Sequence, residues 1–186
     1  MHIWAGHLLP TYKLENILSD LMKEPFFPVP YDVFQAQLTF HDFEAGREIK
    51  LTPEITIQTA FLNHPNNATG YRVNYKGRSV CYVTDTEHKK GILDQNIIDL
   101  IKGSDVFIYD STYSDEEYEK KKGWGHSTWQ EGIRLAKEAN VKKYYIFHHD
   151  PSHKDEHMDD IAKKAKKLWE KKKVDVAKEG LVVDIK

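Results

Sequence analysis

The sequence is short of three features that would define its class at once: cysteine pairs, a long apolar run and an excess charge. Cys81 is the single cysteine in 186 residues, so the chain cannot form an internal disulfide. That composition is typical of a reducing compartment. No apolar run approaches the ~20 residues that a membrane-spanning helix requires. The formal net charge of −2 creates no overall field toward nucleic acid or a membrane. We therefore expect a cytoplasmic protein without a membrane partner.

Histidine, by contrast, is plentiful, with ten residues in the chain. The hydrophobic fraction of 40% and the charged fraction of 30% are those of a globular chain long enough to bury a core. Several histidines lie at the predicted ends of secondary-structure elements, where functional sites are usually built. They are His64, His88, His126, His148, His149 and His153.

Hydrophobic periodicity divides the chain into a strand-rich first half and a second half in which helices and strands alternate. This mixture predicts an α/β or α+β sandwich in which helices cover a sheet. The basic run at 163–173 is interpreted as the solvated face of the last helix. The predicted helices are 11–23, 92–103, 114–122, 127–140 and 154–173, and the predicted strands are 32–40, 47–51, 54–62, 71–77, 78–85, 105–110, 142–149 and 180–185.

Four short stretches share one pattern, in which an apolar run is followed at once by ligand-type residues. They are "AFLNHP" with His64, "CYVTDTEH" with Asp85, "VFIYDSTY" with Asp110, and "YYIFHHDP" with His148 and His149. Side chains at strand ends can converge at one edge of a sheet. Histidine nitrogen and aspartate oxygen are ligands for zinc and similar divalent metals.

Each stretch also has a purely structural interpretation. His64 before Pro65 could be a loop histidine, and Asp85 and Asp110 could be turn or cap residues. The "GHST" stretch that holds His126 could be only a turn with a helix N-cap. In "HHDPSHKDEH", the final residues are expected to start a helix on which His157 is exposed.

The order of the motifs is more specific than any one of them. His-Pro, Thr-Asp, Asp-Ser-Thr-Tyr, Gly-His-Ser-Thr and His-His-Asp-Pro follow one another between about residues 24 and 165. This order resembles the metallo-β-lactamase fold hydrolases, most closely the ribonuclease Z-like phosphodiesterases. The resemblance implies an α/β fold, namely a four-layer αββα sandwich with metals at the edge between two sheets.

The resemblance also implies metal ligands. His64 matches the single-histidine ligand, Asp85 the bridging aspartate and His148 the last histidine ligand, with His149 as the second choice. Zinc is the default metal for such a set, and manganese or iron are alternatives. One or two divalent ions are expected.

Two further roles concern catalysis. His126 matches the histidine that assists at the scissile phosphate, and Asp110 matches an acidic residue that contacts such groups without binding the metal. Asp85, as the bridging ligand, also belongs to the catalytic set. The implied substrate is a small phosphodiester, a nucleotide or a cyclic phosphodiester. Structured RNA is less favoured because the sequence has no long inserted arm to hold it.

The chain departs from the family in one respect: the signature H-x-H-x-D-H is absent from its 186 residues. "HIWAGH" at 2–7 does not replace it, because its histidines are five apart and no aspartate follows. We therefore expect residues 1–186 to form one partial, N-terminally truncated domain with weak or no hydrolysis of its own. The alternatives are a non-catalytic module that binds partners, and an unrelated α/β protein with structural histidines. A half-sandwich with an exposed face is expected to form a homodimer.

Overall fold

The computed structural model describes residues 1–170 and 173–185, which form two compact units, Met1–Arg47 and Glu48–Lys186. The end of the predicted helix 154–173, at Lys171 and Lys172, lies outside the described residues. So does Lys186, the last residue of the predicted domain.

The first unit contains a small parallel sheet and one helix. Strands β1 (His2–Ala5) and β2 (Thr39–Asp42) pair in parallel, and helix α1 (Leu14–Leu21) confirms the predicted amphipathic helix. The predicted strand 32–40 is wrong over most of its length. A 3-10 turn occupies Tyr31–Val33, and the strand begins only at Thr39. The alternating pattern there has no core to face, because most of its side chains are exposed.

The second unit contains one seven-stranded mixed sheet in which the strands follow chain order. The first four strands are antiparallel, and the last four, which begin with the shared strand β6, are parallel. The strands are β3 (Glu48–Lys50), β4 (Ile55–Leu62), β5 (Ala68–Tyr75), β6 (Arg78–Val83), β7 (Val106–Asp110), β8 (Lys143–Phe147) and β9 (Val174–Val176). The predicted strand 180–185 is wrong, since these residues form no strand and Val182 is 85% exposed.

The helices of this unit connect the parallel strands. Parallel strands need crossover connections, and right-handed crossovers that run in one direction along a sheet put their helices on the same face. The helices are α2 (Gln95–Ile101), α3 (Asp115–Tyr118), α4 (Trp129–Glu138) and α5 (Asp155–Leu168). The core contains alternate side chains of the strands, such as Cys81, Val83, Phe107 and Ile146, together with apolar residues of α2, α4 and α5. No helix in the described part of the chain is long and apolar enough to cross a membrane.

The opposite face of this sheet is apolar and partly exposed. Residues i and i+2 of a strand share a face, and directly paired residues do so as well. By this rule, Phe61, Val73, Tyr75 and Tyr82 all lie opposite the core face. Their exposed fractions are 47%, 39%, 44% and 40%. The sheet thus has one face covered by helices and one face with exposed aromatic and aliphatic side chains.

Helix α4 lies very close to the sheet because Gly132 has no side chain. A Cβ atom at this position would lie 2.2 Å from the Tyr144 hydroxyl oxygen and 2.4 Å from its Cζ. The Tyr144 ring is fully buried, and its hydroxyl lies 2.7 Å from Ser111 Oγ. The tyrosine therefore has no room to withdraw.

We predict that Gly132→Ala destabilises the protein, because the gain in helix propensity of about 1 kcal/mol does not offset the steric clash. Overpacking of this kind typically costs about 1–3 kcal/mol, and the contacts here are with a ring that is fixed in the core. Urea denaturation followed by circular dichroism measures the change. Glu138→Ala, on the exposed side of the same helix, is the control and should change stability by less than about 0.5 kcal/mol. Equal stabilities of Gly132→Ala and the wild type would contradict the prediction.

Candidate metal centre

The polar residues that follow strands β6, β7 and β8 converge at one edge of the seven-stranded sheet. Asp85 follows β6, Asp110 ends β7 and His148 follows β8, while His126 lies in the turn before α4. Asp85 and His148 both have left-handed backbones, with φ of 59° and 62°. This conformation is uncommon outside glycine, but aspartate and histidine tolerate it better than most residues. It allows both side chains to turn toward the same space.

The Asp110 carboxylate is the centre of this arrangement. It is completely buried. Its Oδ2 accepts hydrogen bonds from the backbone N–H of Asp85 at 2.9 Å and from His126 Nδ1 at 3.0 Å. Its Oδ1 accepts from the Thr112 hydroxyl at 2.8 Å and from the backbone N–H of Ser127 at 3.2 Å. Burial by itself would raise the pKa of Asp110, but hydrogen bonds from the two histidines outweigh it and hold the pKa well below its usual range.

His126 is oriented by this carboxylate. Its Nδ1 faces Asp110, so Nε2 is the nitrogen that is left to act on a ligand. The hydrogen bond to Asp110 raises the pKa of His126, against the opposing effect of partial burial. The ring is therefore held in one orientation and is protonated up to a higher pH than an ordinary histidine.

His148 and Asp85 lie at a distance from each other that suits ligands of one ion. His148 Nδ1 lies 3.5 Å from Asp110 Oδ2, and His148 Nε2 lies 3.8 Å from Asp85 Oδ1. The second distance is too long for a hydrogen bond. Two ligands each about 2.1 Å from one zinc ion lie at most about 4.2 Å apart. The separation of the Asp85 oxygen and the His148 nitrogen therefore suits a divalent transition metal. His126 lies beside this pair, because donor atoms of Asp85, His126 and His148 are all within 4.8 Å of one another.

The structure brings His148, rather than its neighbour His149, to Asp85. His149 Nε2 lies 3.4 Å from the carbonyl oxygen of Ala177, beyond strand β9. His64, the third expected ligand, is not part of the group that includes Asp85 and His148. Its ring centroid is 6.3 Å from that of His126, so it lies beside the group.

The turn around Gly125 is what lets His126 and His64 lie near each other. Gly125 has φ of +84°, and a Cβ atom there would lie 2.4 Å from Cδ2 of His64. Its backbone N–H donates to the Glu87 carboxylate at 3.0 Å. Glycine is therefore required both by the backbone conformation and by the close approach of the imidazole.

A layer of buried polar side chains supports the turn from below. Ser127 Oγ lies 2.8 Å from His88 Nδ1 and accepts a hydrogen bond of 2.8 Å from the Tyr109 hydroxyl. The His88 ring stacks on Tyr118 with centroids 4.1 Å apart, and the Tyr118 hydroxyl donates to the His88 carbonyl oxygen. The sequence alone does not indicate a role for His88, Ser127 or Tyr109. The only signal was the position of His88 near the predicted end of a strand.

The buried His88 makes the stability of the fold decrease as the pH falls. Burial lowers the pKa of His88 to about 4 from an ordinary value of 6.5. The unfolded ring therefore takes up a proton at a higher pH than the folded one. The stability that neutral His88 contributes is complete above about pH 6.5 and declines as the pH falls toward 4.

We predict that, between pH 7 and pH 5, the wild type loses about 2 kcal/mol more unfolding free energy than His88→Gln does. Urea denaturation in the presence of EDTA at both pH values measures this difference. His7→Gln, a change at an exposed histidine, should follow the wild type. Parallel losses in wild type and His88→Gln would show that His88 does not titrate in this way.

Comparison with known proteins indicates the same superfamily as the order of motifs along the chain. The model of the β-lactamase superfamily domain matches residues 9–149, which is most of the sequence. The chain belongs to this superfamily. Its members typically bind divalent metals, and the described residues include His/Asp and His/Glu groups that could hold one.

Curated relatives called ribonuclease Z match parts of the chain. The protein of Thermoplasma acidophilum is 28% identical over 176 residues, which cover 87% of this chain and 55% of that protein. The protein of Brevibacillus brevis is 32% identical over 97 residues, which cover 50% of this chain and 29% of the relative. The chain therefore spans about half or less of the length of these two relatives.

Solved structures confirm the predicted metallo-β-lactamase fold class. The metallo-β-lactamase fold protein YhfI from Bacillus subtilis has a TM-score of 0.71 and 19% identity, over 98% of this chain and 65% of that one. The short form of human tRNase Z has a TM-score of 0.65 and 18% identity, over 100% of this chain and 68% of that one. A diphosphatase from the PhnP family has a TM-score of 0.59 and 20% identity, over 97% of this chain and 56% of that one.

Proposed function

We propose that this chain carries part of the active centre of a metal-dependent phosphodiesterase that acts on a nucleotide or cyclic phosphodiester. The observation that supports this proposal is the group formed by Asp85, His126 and His148, whose donor atoms lie within 4.8 Å of one another. Ribonuclease Z and a diphosphatase of the PhnP family are among its relatives and structural neighbours, and their names point to phosphate chemistry. A small substrate is preferred over structured RNA, because the sequence has no long inserted arm.

In this proposal Asp85 and His148 hold the metal, and His64, which lies beside them, is a further ligand. Zinc is the first choice for aspartate and histidine ligands, and manganese or iron are the alternatives. A bound divalent ion supplies a Lewis acid that neutralises charge on the phosphate and makes water a better nucleophile. Asp85, whose side chain is 45% exposed, faces the open side from which substrate and water would arrive.

His126 is proposed to transfer a proton. Its raised pKa favours the imidazolium form, in which Nε2–H can protonate the leaving oxygen of a phosphodiester. Asp110 keeps Nδ1 engaged and so fixes which nitrogen is presented. Asp110 thus acts through His126 as a positioning residue and does not itself contact substrate.

The turnover by this chain is proposed to be slow. In the family that the chain resembles, an H-x-H-x-D-H signature supplies further metal ligands, and the 186 residues contain no such signature. Three protein ligands are sufficient for one ion with an open position, but they leave fewer groups to activate water.

We expect weak hydrolysis of bis(p-nitrophenyl) phosphate that requires zinc or manganese and is at least tenfold lower in Asp85→Asn. Metal content after gel filtration should fall in Asp85→Asn and in His148→Asn. His126→Asn should keep its metal but lose about 100-fold or more in rate, the typical contribution of a positioned proton donor.

His7→Gln is the control and should alter neither metal content nor rate. Hydrolysis that persists in EDTA, or that is equal in Asp85→Asn, would contradict the proposed centre. Bound metal with no detectable hydrolysis would favour the alternative, a non-catalytic binding module. Loss of the metal in His126→Asn would make His126 a ligand.

We also propose that a second copy of the chain is a partner. The helix-free face of the seven-stranded sheet carries exposed Phe61, Val73, Tyr75 and Tyr82. Contiguous exposed apolar side chains of this kind are typical of surfaces that associate. A twofold arrangement of two such sheets would bury the same residues on both copies.

Light scattering coupled to size exclusion is expected to give the mass of a dimer for the wild type. Val73→Glu and Tyr75→Glu, which introduce charge on the helix-free face, should each shift the population toward monomer. Ile92→Glu is the matched control, because Ile92 is 65% exposed and lies outside the strands of the sheet. A monomeric wild type, or equal shifts in all three variants, would contradict the proposal.

A further inference from the structure

A second group of potential metal ligands lies outside the candidate metal centre and shares no residue with it. It consists of Glu117 in α3, His153 in the loop after β8, and His157 in the first turn of α5. One donor atom from each of these residues lies within 4.8 Å of the others. We infer that these three side chains form a further divalent-metal site, suited to zinc, that joins α3 to the start of α5.

His153 is the strongest reason for this inference. Its side chain is only 8% exposed, and its Nε2 lies 2.9 Å from Glu117 Oε1. The nitrogen that faces Glu117 is therefore Nε2, and an ion shared with this carboxylate would bind Nε2 and Oε1 in place of their direct hydrogen bond. A separation of this size between a nitrogen and an oxygen is compatible with two ligands of one ion.

Glu117 is held in the orientation of a ligand. Its Oε2 accepts hydrogen bonds from the backbone N–H and the hydroxyl of Ser114, both at 2.7 Å. These bonds form the capping box of α3 and leave Oε1 directed at His153. Partial burial opposes ionisation, but the Ser114 hydrogen bonds and His153 outweigh it, so the pKa of Glu117 lies below its usual value. Hydrogen bonds that orient a ligating carboxylate are a regular feature of metal sites.

His157 closes the group from the solvent side. It is exposed, and its ring centroid is 4.2 Å from that of His153 with an angle of 34° between the rings. Two imidazoles and one carboxylate, with a fourth position open to water, form a ligand set that zinc commonly accepts. The ion would connect two segments that are 36 residues apart at Glu117 and His153. It would therefore cross-link the fold and need not take part in hydrolysis.

The test uses the full chain with the candidate metal centre removed by Asp85→Asn and His148→Asn. We expect this background variant to retain about one equivalent of zinc after gel filtration. Its thermal unfolding midpoint should rise when zinc is added. Adding His157→Gln should abolish both effects, and because His157 is exposed the change should leave the metal-free fold intact. Circular dichroism in EDTA checks that point.

His7→Gln in the same background is the matched control and should keep the zinc and the thermal shift. No zinc in the background variant, or equal zinc content with and without His157→Gln, would overturn the inference. If the background variant does not fold, His157→Gln in the wild-type chain decides the question. The zinc content should then fall by about one equivalent, and an unchanged content would overturn the inference.

Discussion

The arrangement at the sheet edge depends on one buried carboxylate. Asp110 is fully buried and accepts hydrogen bonds from three neighbouring segments: the end of β6, the end of its own strand and the turn before α4. A buried charge is stable only when its hydrogen-bonding capacity is satisfied. The strand ends and the turn are therefore constrained by the same group that orients His126 and faces His148.

Two core tyrosines connect the hydrophobic core to the residues around this carboxylate through their hydroxyl groups. Tyr109 belongs to the core cluster and donates to Ser127, which immediately follows His126 in the chain. Tyr144 packs against Gly132 and lies 2.7 Å from Ser111 Oγ, next to Asp110. The tyrosines have an apolar ring that fills the core and a hydroxyl that ends at the polar layer. The close approach of α4 to the sheet thus helps to fix the turn that holds His126.

Much of the second unit could be predicted from periodicity and strand ends. The apolar runs before Asp85, Asp110 and His148 are parallel neighbours, and parallel neighbours end at a common edge. Periodicity could not decide between His148 and His149, because the choice depends on the left-handed backbone at His148, whose side chain lies near Asp85. The approach of His64 to His126 depends instead on Gly125, which combines a positive φ with a close approach to the His64 ring.

Other features depend on partners far away in the sequence. Glu117 and His153 meet across 36 residues, and nothing in either local sequence indicates the other. Residues 32–40 and 180–185 have strand-like composition, but a strand also needs a neighbouring strand with free hydrogen-bonding groups. In the second unit, the sheet ends at β9, and Leu181 and Val182 remain exposed instead of extending it. Strand propensity without pairing and burial produced both errors.

The left-handed backbone at Asp85 and His148 limits how this edge of the sheet can change over evolution. Either position tolerates a short list of residues, chiefly glycine, asparagine, aspartate and histidine, because others strain the backbone as well as altering the side chain. Only aspartate and histidine on that list are strong ligands for transition metals. Glutamate or cysteine at either position would need a rebuilt turn, so the side chains that these two positions can carry are restricted by backbone geometry as well as by chemistry.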